Sequence, residues 1–227
     1  KKRITAALLA LGLSAVTICS QLPVFAAEET AQATDTAAQP QTADPSVVTT
    51  NGIDGWPQAS DISSTAAIVM ETSTNTVLYS KNADQALYPA SAVKVMTCLV
   101  ALENSSLDDQ VTMTATGVSG VTDGGANISS QLDEVFTMEQ CLYAIMVASA
   151  NDIALQVAEH VGGSVDAFVQ TMNARAQELG CTNTVFTNPT GLPDENQHIT
   201  AHDMALIMEA AMANETFRTI AATTSYT

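Results

Sequence analysis

Basic residues are scarce in this chain of 227 residues: Lys and Arg number seven against 24 Asp and Glu, for a formal net charge of −17 at pH 7. Three of the seven, Lys1, Lys2 and Arg3, stand together at the start, so from residue 28 onward only Lys81, Lys94, Arg175 and Arg218 face all 24 acids. Charge of that sign argues against nucleic acid as a partner and against adsorption to an anionic membrane surface. Cysteine is also scarce. Beyond residue 28 there are Cys98, Cys141 and Cys181, an odd number in apolar or helical contexts. That pattern argues against a disulfide framework and for small buried apolar side chains. Internal repeats are absent as well.

What is present begins with KKR and an uncharged run over residues 4–27, apolar to residue 18, with small residues ahead of a cut after Ala26 or Ala27. This is the layout of a secretory signal peptide. An uncleaved membrane anchor is the alternative, but the run is barely long enough to span and contains Pro23. Cys19 follows bulky Ile18, which does not fit lipid attachment. On either reading the rest of the chain is expected to be exported and to work in the extracytoplasmic envelope. Residues 28–57 are Ala, Thr, Gln, Pro and acid with little to bury, and read as a disordered linker. Residues 58–227 are left to form one core. The lack of an initiating Met and the strand-like ending "ATTSYT" are read as signs of a fragment.

Within 58–227, β-like runs over 66–71 and 76–80 flank the polar "TSTN" and predict a hairpin. Pro89 precedes a helix predicted over 91–103, where a proline ahead of the first turn removes no helical hydrogen bond. The Gly-, Ser- and Thr-rich stretch 105–133 predicts no helix. Thr137 with Gln140 makes a capping box for an apolar helix, "SAN" at 149–151 breaks it, and a second helix runs over 152–161. Ser164 caps another helix to about residue 179, ended by Gly180. "TNTVFTNPTGLPDENQHIT" reads as a loop with one short strand, and Thr200 with Asp203 caps a last helix to about residue 212.

Ser91 and Lys94 lie three apart, on one face of the helix predicted there. A serine hydroxyl needs a neighbour to take its proton, and Lys94 could do so only if neutral near pH 7. Burial among Val93, Val95, Met96, Leu99 and Val100 would lower its proton affinity. Roughly one S-x-x-K arises by chance in a chain of this length. The rarity of lysine here raises its weight. Ser149 and Asn151 sit at the helix break, where a hydroxyl and an amide could face Lys94 across a cleft. The same S-x-N pattern at Ser73, Thr74 and Asn75 falls in a polar turn and reads as turn chemistry only.

Together these elements resemble the penicillin-recognising serine enzymes, whose signature is S-x-x-K, then S-x-N, then a K-T-G strand. "PASAVKVMTCLVALE", "LYAIMVASANDIALQVAEHVGGS" and "FVQTMNARAQELGCTNTVFTNPTGLPDENQHITAHDMALIMEAAM" are similar to blocks of the low-molecular-mass penicillin-binding proteins that are D-alanyl-D-alanine carboxypeptidases. The resemblance runs from about residue 64 to the end. It implies an α+β fold of the β-lactamase/transpeptidase type, an antiparallel sheet with helices and a mainly helical subdomain, with the C-terminal strands missing from this chain. It implies Ser91 as nucleophile, Lys94 as base, Ser149 as proton relay, and Asn151 as the group holding Lys94 and a substrate carbonyl. The implied partners are peptidoglycan stem peptides ending in D-Ala-D-Ala and β-lactams as covalent inhibitors, with no cofactor or metal. Membrane contact would come only through an anchor outside this fragment.

One departure is large: no K-T-G follows Asn151, and after Lys94 only Arg175 and Arg218 could meet a terminal carboxylate. Rival readings are weaker. A serine β-lactamase would use a glutamate in an E-x-x-L-N context, which Glu159, Glu178, Glu195, Glu209 and Glu215 lack. His198 and His202 have zinc-pair spacing, but Thr200 caps the helix and leaves His198 outside it. His160 reads as a surface or core residue, and no cysteine has an electropositive setting. A non-catalytic envelope protein of the same fold, binding wall peptides, is the alternative from a different class.

Overall fold

The computed structural model describes residues 62–121 and 125–226. The expected signal peptide, Cys19 and the linker over 28–57 lie outside the described residues. The expected hairpin is present as β1 (Ala67–Glu71) and β2 (Thr76–Lys81), antiparallel, with a register shift between Val69 and Met70. Its turn is held by the Glu71 carboxylate, which accepts from Ser73 and Thr74 and is thereby drawn down to about 2. The Ser73–Asn75 triplet is therefore occupied with turn closure.

The helix foreseen from residue 91 begins later. Residues Ala90–Ala92 form a 3₁₀ turn and α1 runs Val93–Asn104. The cause is local: Pro89 has φ −75° and Ala90 is left-handed at φ +47°, so regular α geometry starts only after them. Side chains three apart eclipse in a 3₁₀ turn, so the late start still stacks Lys94 on Ser91. α1 is the central helix, buried from Val93 to Ala101 and packed by α3 (Met138–Ala148), α4 (Asn151–Gly162), α5 (Val165–Glu178), α6 (Ala201–Ala213) and α7 (Glu215–Ala221). The hairpin packs on α6.

Three short elements were not foreseen, β3 (Gln110–Thr112), α2 (Ala115–Ser119) and β4 (Val135–Thr137), while α7 lies on the helix-like stretch around Arg218. β3 and β4 pair antiparallel, three residues each, too short for a two-residue period to stand out. α2 is fastened to α4 by Glu159, whose carboxylate accepts from Thr114 Oγ1 at 2.6 Å and from Thr116 and Gln156, which holds it below the usual carboxylate range.

The capping box at Thr137 and Gln140 has both reciprocal bonds, at 3.2 and 2.9 Å. α3 then closes with Ser149 in the left-handed region (φ 54°, ψ 35°) and the N–H groups of Ser149 and Ala150 both bonded to Ala144 O, a left-handed end to the helix without glycine. Ser164 and Thr200 cap α5 and α6 through Ala167 N and Asp203 N. The loop over 182–200 holds no regular strand. It is pinned instead by isolated bridges, Val185 to His198 and Leu87 to Ile199. Pro189 has no N–H to give a ladder, and Gly191 at φ +83° turns the chain.

The core is one cluster, including Met96, Leu99, Met138, Leu142, Ile145, Ile153, Phe168, Met172, Phe186, Ile207 and Phe217. Cys98, Cys141 and Cys181 are unpaired and buried within it. Among the described residues, no helix is long and apolar enough to cross a membrane.

Candidate active site

Three elements meet at Ser91. The 3₁₀ turn carries the hydroxyl, α1 carries Lys94, and the break between α3 and α4 carries Ser149. Lys94 Nζ lies 3.2 Å from Ser91 Oγ and donates to Thr190 O at 2.6 Å. Ser149 Oγ donates to Ser91 Oγ at 3.1 Å. Ser91 Oγ thus stands between an amine and a second hydroxyl. The left-handed backbone at Ser149 aims that hydroxyl, a conformation that costs a non-glycine residue about 1–2 kcal/mol.

Lys94 is almost fully buried, at 3% exposure, between apolar neighbours of α1. Desolvation lowers it from the usual 10.5 to about 8. Burial raises the Cys98 thiol far above its ordinary range, so one turn along α1 there is no thiolate to keep the ammonium charged. At pH 7 about one lysine in ten would then be neutral, enough for a base.

Asn151 opens α4, its N–H bonded to Ala126 O at 2.8 Å. Its Oδ1 is buried with no hydrogen-bond partner among the described residues, and its Nδ2 would lie 2.4 Å from a Cβ placed on Gly125. The hydrogen bonds of Lys94 go to Ser91 and Thr190, and none is made to Asn151. Beside it the buried Asp152 gathers the preceding loop, accepting from Ser130 N at 3.1 Å, Ser130 Oγ at 2.8 Å and Ile128 N at 3.3 Å.

Sequence reasoning did not single out the turn over 187–192. Thr190 supplies the carbonyl on Lys94, and Thr97 Oγ1 donates to Pro189 O at 2.7 Å. Gly191 is pressed on the backbone of the nucleophile, where an added Cβ would meet Ala90 O at 1.9 Å. Only the string N-P-T-G pointed there, as a turn, because a backbone acceptor leaves no trace in side-chain identity.

The two later arginines are engaged elsewhere. Arg175 pairs with Glu103 at 2.9 Å and Glu178 at 3.0 Å, and Arg218 donates to Met212 and Ala213 carbonyls. His202 Nδ1 lies by Asp84 and His198 Nδ1 by the Asn196 carbonyl, so the two histidines take separate partners. Among the described residues no cluster could hold a metal ion.

The family model described as D-alanyl-D-alanine carboxypeptidase matches residues 54–227. Among curated relatives, the carboxypeptidase DacF of Bacillus subtilis is 37% identical over 155 residues, covering 66% of this chain and 39% of its own length. DacB2 of Mycobacterium tuberculosis is 36% identical over 160 residues, covering 68% of this chain and 53% of its own. This chain therefore spans about half or less of those relatives. A solved D-alanyl-D-alanine carboxypeptidase from M. tuberculosis superposes with a TM-score of 0.69 at 32% identity, over 75% of this chain and 64% of that one. Penicillin-binding protein 5 of Haemophilus influenzae gives 0.65 at 31% identity, over 69% and 47%. These likenesses carry the β-lactamase/transpeptidase-type α+β fold. This chain belongs to the D-alanyl-D-alanine carboxypeptidase family.

Proposed function

We propose that the protein is a serine D-alanyl-D-alanine carboxypeptidase that removes the terminal D-alanine from peptidoglycan stem peptides and is acylated by β-lactams. The observation that carries this reading is Ser91 Oγ held between Lys94 Nζ at 3.2 Å and Ser149 Oγ at 3.1 Å, with the lysine desolvated. Neutral Lys94 takes the Ser91 proton as Oγ attacks the carbonyl carbon of the last peptide bond. The developing oxyanion is met by the Ser91 N–H, an interaction of the kind worth about 3 kcal/mol. As the carbon–nitrogen bond breaks, Ser149 passes a proton from Lys94 to the departing D-alanine amine. Water then attacks the acyl ester and restores Ser91.

Asn151 Oδ1, a buried acceptor lacking a donor among the described residues, would be satisfied by an N–H of the bound peptide or by the Lys94 ammonium. The cation for the substrate carboxylate is assigned to neither Arg175 nor Arg218, given their partners above. Export to the cell envelope, through a leader over residues 1–27, fits this substrate. Fluorescent penicillin tests the reading: covalent label on the complete protein, lost in Ser91→Ala, is the expected result, alongside release of free D-alanine from a D-Ala-D-Ala peptide. An unlabelled wild-type protein would sink the proposal.

A further inference from the structure

We propose that Asn188 is a positioning residue that sets where the general base sits and how readily it gives up its proton, acting through the Thr190 carbonyl. This rests on the catalytic reading of Lys94 given above. Asn188 Oδ1 accepts three bonds, from Thr190 N at 3.2 Å, Thr190 Oγ1 at 2.9 Å and Gly191 N at 2.8 Å. Its Nδ2 donates to Leu192 O at 3.0 Å. One side chain thus closes the turn over 188–192 on itself. Gln197 braces it from outside, its buried amide accepting from Thr187 N at 3.1 Å and Asn188 N at 3.2 Å and donating to Leu192 O at 3.3 Å.

The closed turn makes three contacts with the catalytic segment. Thr190 O receives Lys94 Nζ, Pro189 O receives the buried Thr97 hydroxyl one turn later on α1, and Gly191 lies against Ala90 and Ser91. The structure gives Asn188 no hydrogen bond to Ser91 or Lys94. Its influence runs through the shape of the turn. A carbonyl bonds an ammonium more strongly than an amine, so Thr190 O opposes the loss of charge that burial favours. It also fixes the direction of the Nζ lone pair toward Ser91. Without Asn188 three donors lose their acceptor, the turn relaxes, and Lys94 loses both restraint and partner.

Other charges leave that assignment intact. Cys98 on α1 is the titratable group coupled to Lys94 among the described residues, and its thiol is held neutral by burial. On the helices packed against α1, Cys141 is pushed up to about 12, Asp152 is taken up by Ser130, Arg175 by Glu103 and Asp203 by Thr184.

The test is the rate of acylation by fluorescent penicillin between pH 6 and 10, on the complete protein, with thermal melts alongside. For Asn188→Ala the expected result is a plateau rate lowered about tenfold and a half-maximal pH displaced downward. Asn188→Asp keeps the three accepted bonds and adds a negative charge near the base. Its plateau should recover to within a few-fold of wild type, with the half-maximal pH displaced upward. Wild-type rates and half-maximal pH in both folded variants overturn the proposal. So does an equal fall in rate with the half-maximal pH unmoved, which is what loss of loop stability alone would give. If Asn188→Ala does not fold, the upward displacement in Asn188→Asp decides alone. Failure of the wild-type protein to label at Ser91 would instead defeat the catalytic reading, and this inference with it.

Discussion

Between about pH 8 and 10.5 the unfolded chain holds a proton at Lys94 that the folded chain has released. Stability therefore rises with pH across that window, and the full cost of burying the lysine is borne below pH 8. The shift corresponds to about 3 kcal/mol, less whatever the Thr190 carbonyl returns when the amine is replaced. Lys94→Met is expected to stabilise the fold by about 1–3 kcal/mol at pH 7 while abolishing penicillin labelling. The gain should shrink toward pH 10, which melts at the two pH values check. The same opposition holds at Ser149, where Ser149→Gly relieves the left-handed backbone by about 1 kcal/mol and removes the hydroxyl on Ser91. A higher melting temperature with acylation slowed at least tenfold is the expected pair of results. At this scale the spacing of Ser91 and Lys94, and the apolar residues that desolvate the lysine, were legible in the sequence. Thr190 and Asn188 were not, because one acts by its carbonyl and the other through a turn that only folding closes.

The elements that position the site are joined by short backbone contacts, and these tolerate little change. Gly191 combines φ +83° with a backbone approach that leaves no room for a Cβ. Gly191→Ala must therefore push the turn off Ala90, moving Thr190 O away from Lys94 as it does so. The expected outcome is destabilisation by about 2–4 kcal/mol with labelling slowed at least tenfold, measured by denaturant unfolding and by acylation rate. The starts of α3, α5 and α6 were readable from their caps, since Thr137, Ser164 and Thr200 each mark the first turn they bond, whereas Thr114 and Asn214 cap α2 and α7 in the same way and were not singled out. The start of α1 was placed too early, since Pro89 marks the approach to a helix and not the 3₁₀ turn that Ala90 imposes. β3, β4 and the five-residue α2 carry too few residues to show a period, and owe their existence to pairing and to Glu159.

For the whole molecule, burial of α1 by five other helices makes the interior thiols a report on global unfolding. Cys98 and Cys141 are each 1% exposed, and burial raises both thiols, Cys141 to about 12. Neither should react with N-ethylmaleimide on the native protein over hours at pH 7.5. Both should react in denaturant, and peptide mapping after a denaturant titration should place their labelling at the same midpoint as loss of helix signal. The mostly helical build behind a hairpin was legible because α1, α3 and α4 are rich in apolar residues, while the fold class came from the resemblance of the sequence blocks. The sheet was the harder part to read, since strand pairing joins segments by hydrogen bonds that their side chains do not encode.

The bond from Lys94 to Thr190 spans 96 positions, and that from Ser149 to Ser91 spans 58. Contacts of such sequence separation form late, after loop-closure entropy has been met. A chain emerging stepwise from its N-terminus presents the serine well before the carbonyl that seats the base. Until residue 190 has followed, the lysine is solvated, protonated and inert. The reactive serine thus comes with a delay set by chain length, and a chain still lacking residue 190 holds a nucleophile whose base is not yet seated.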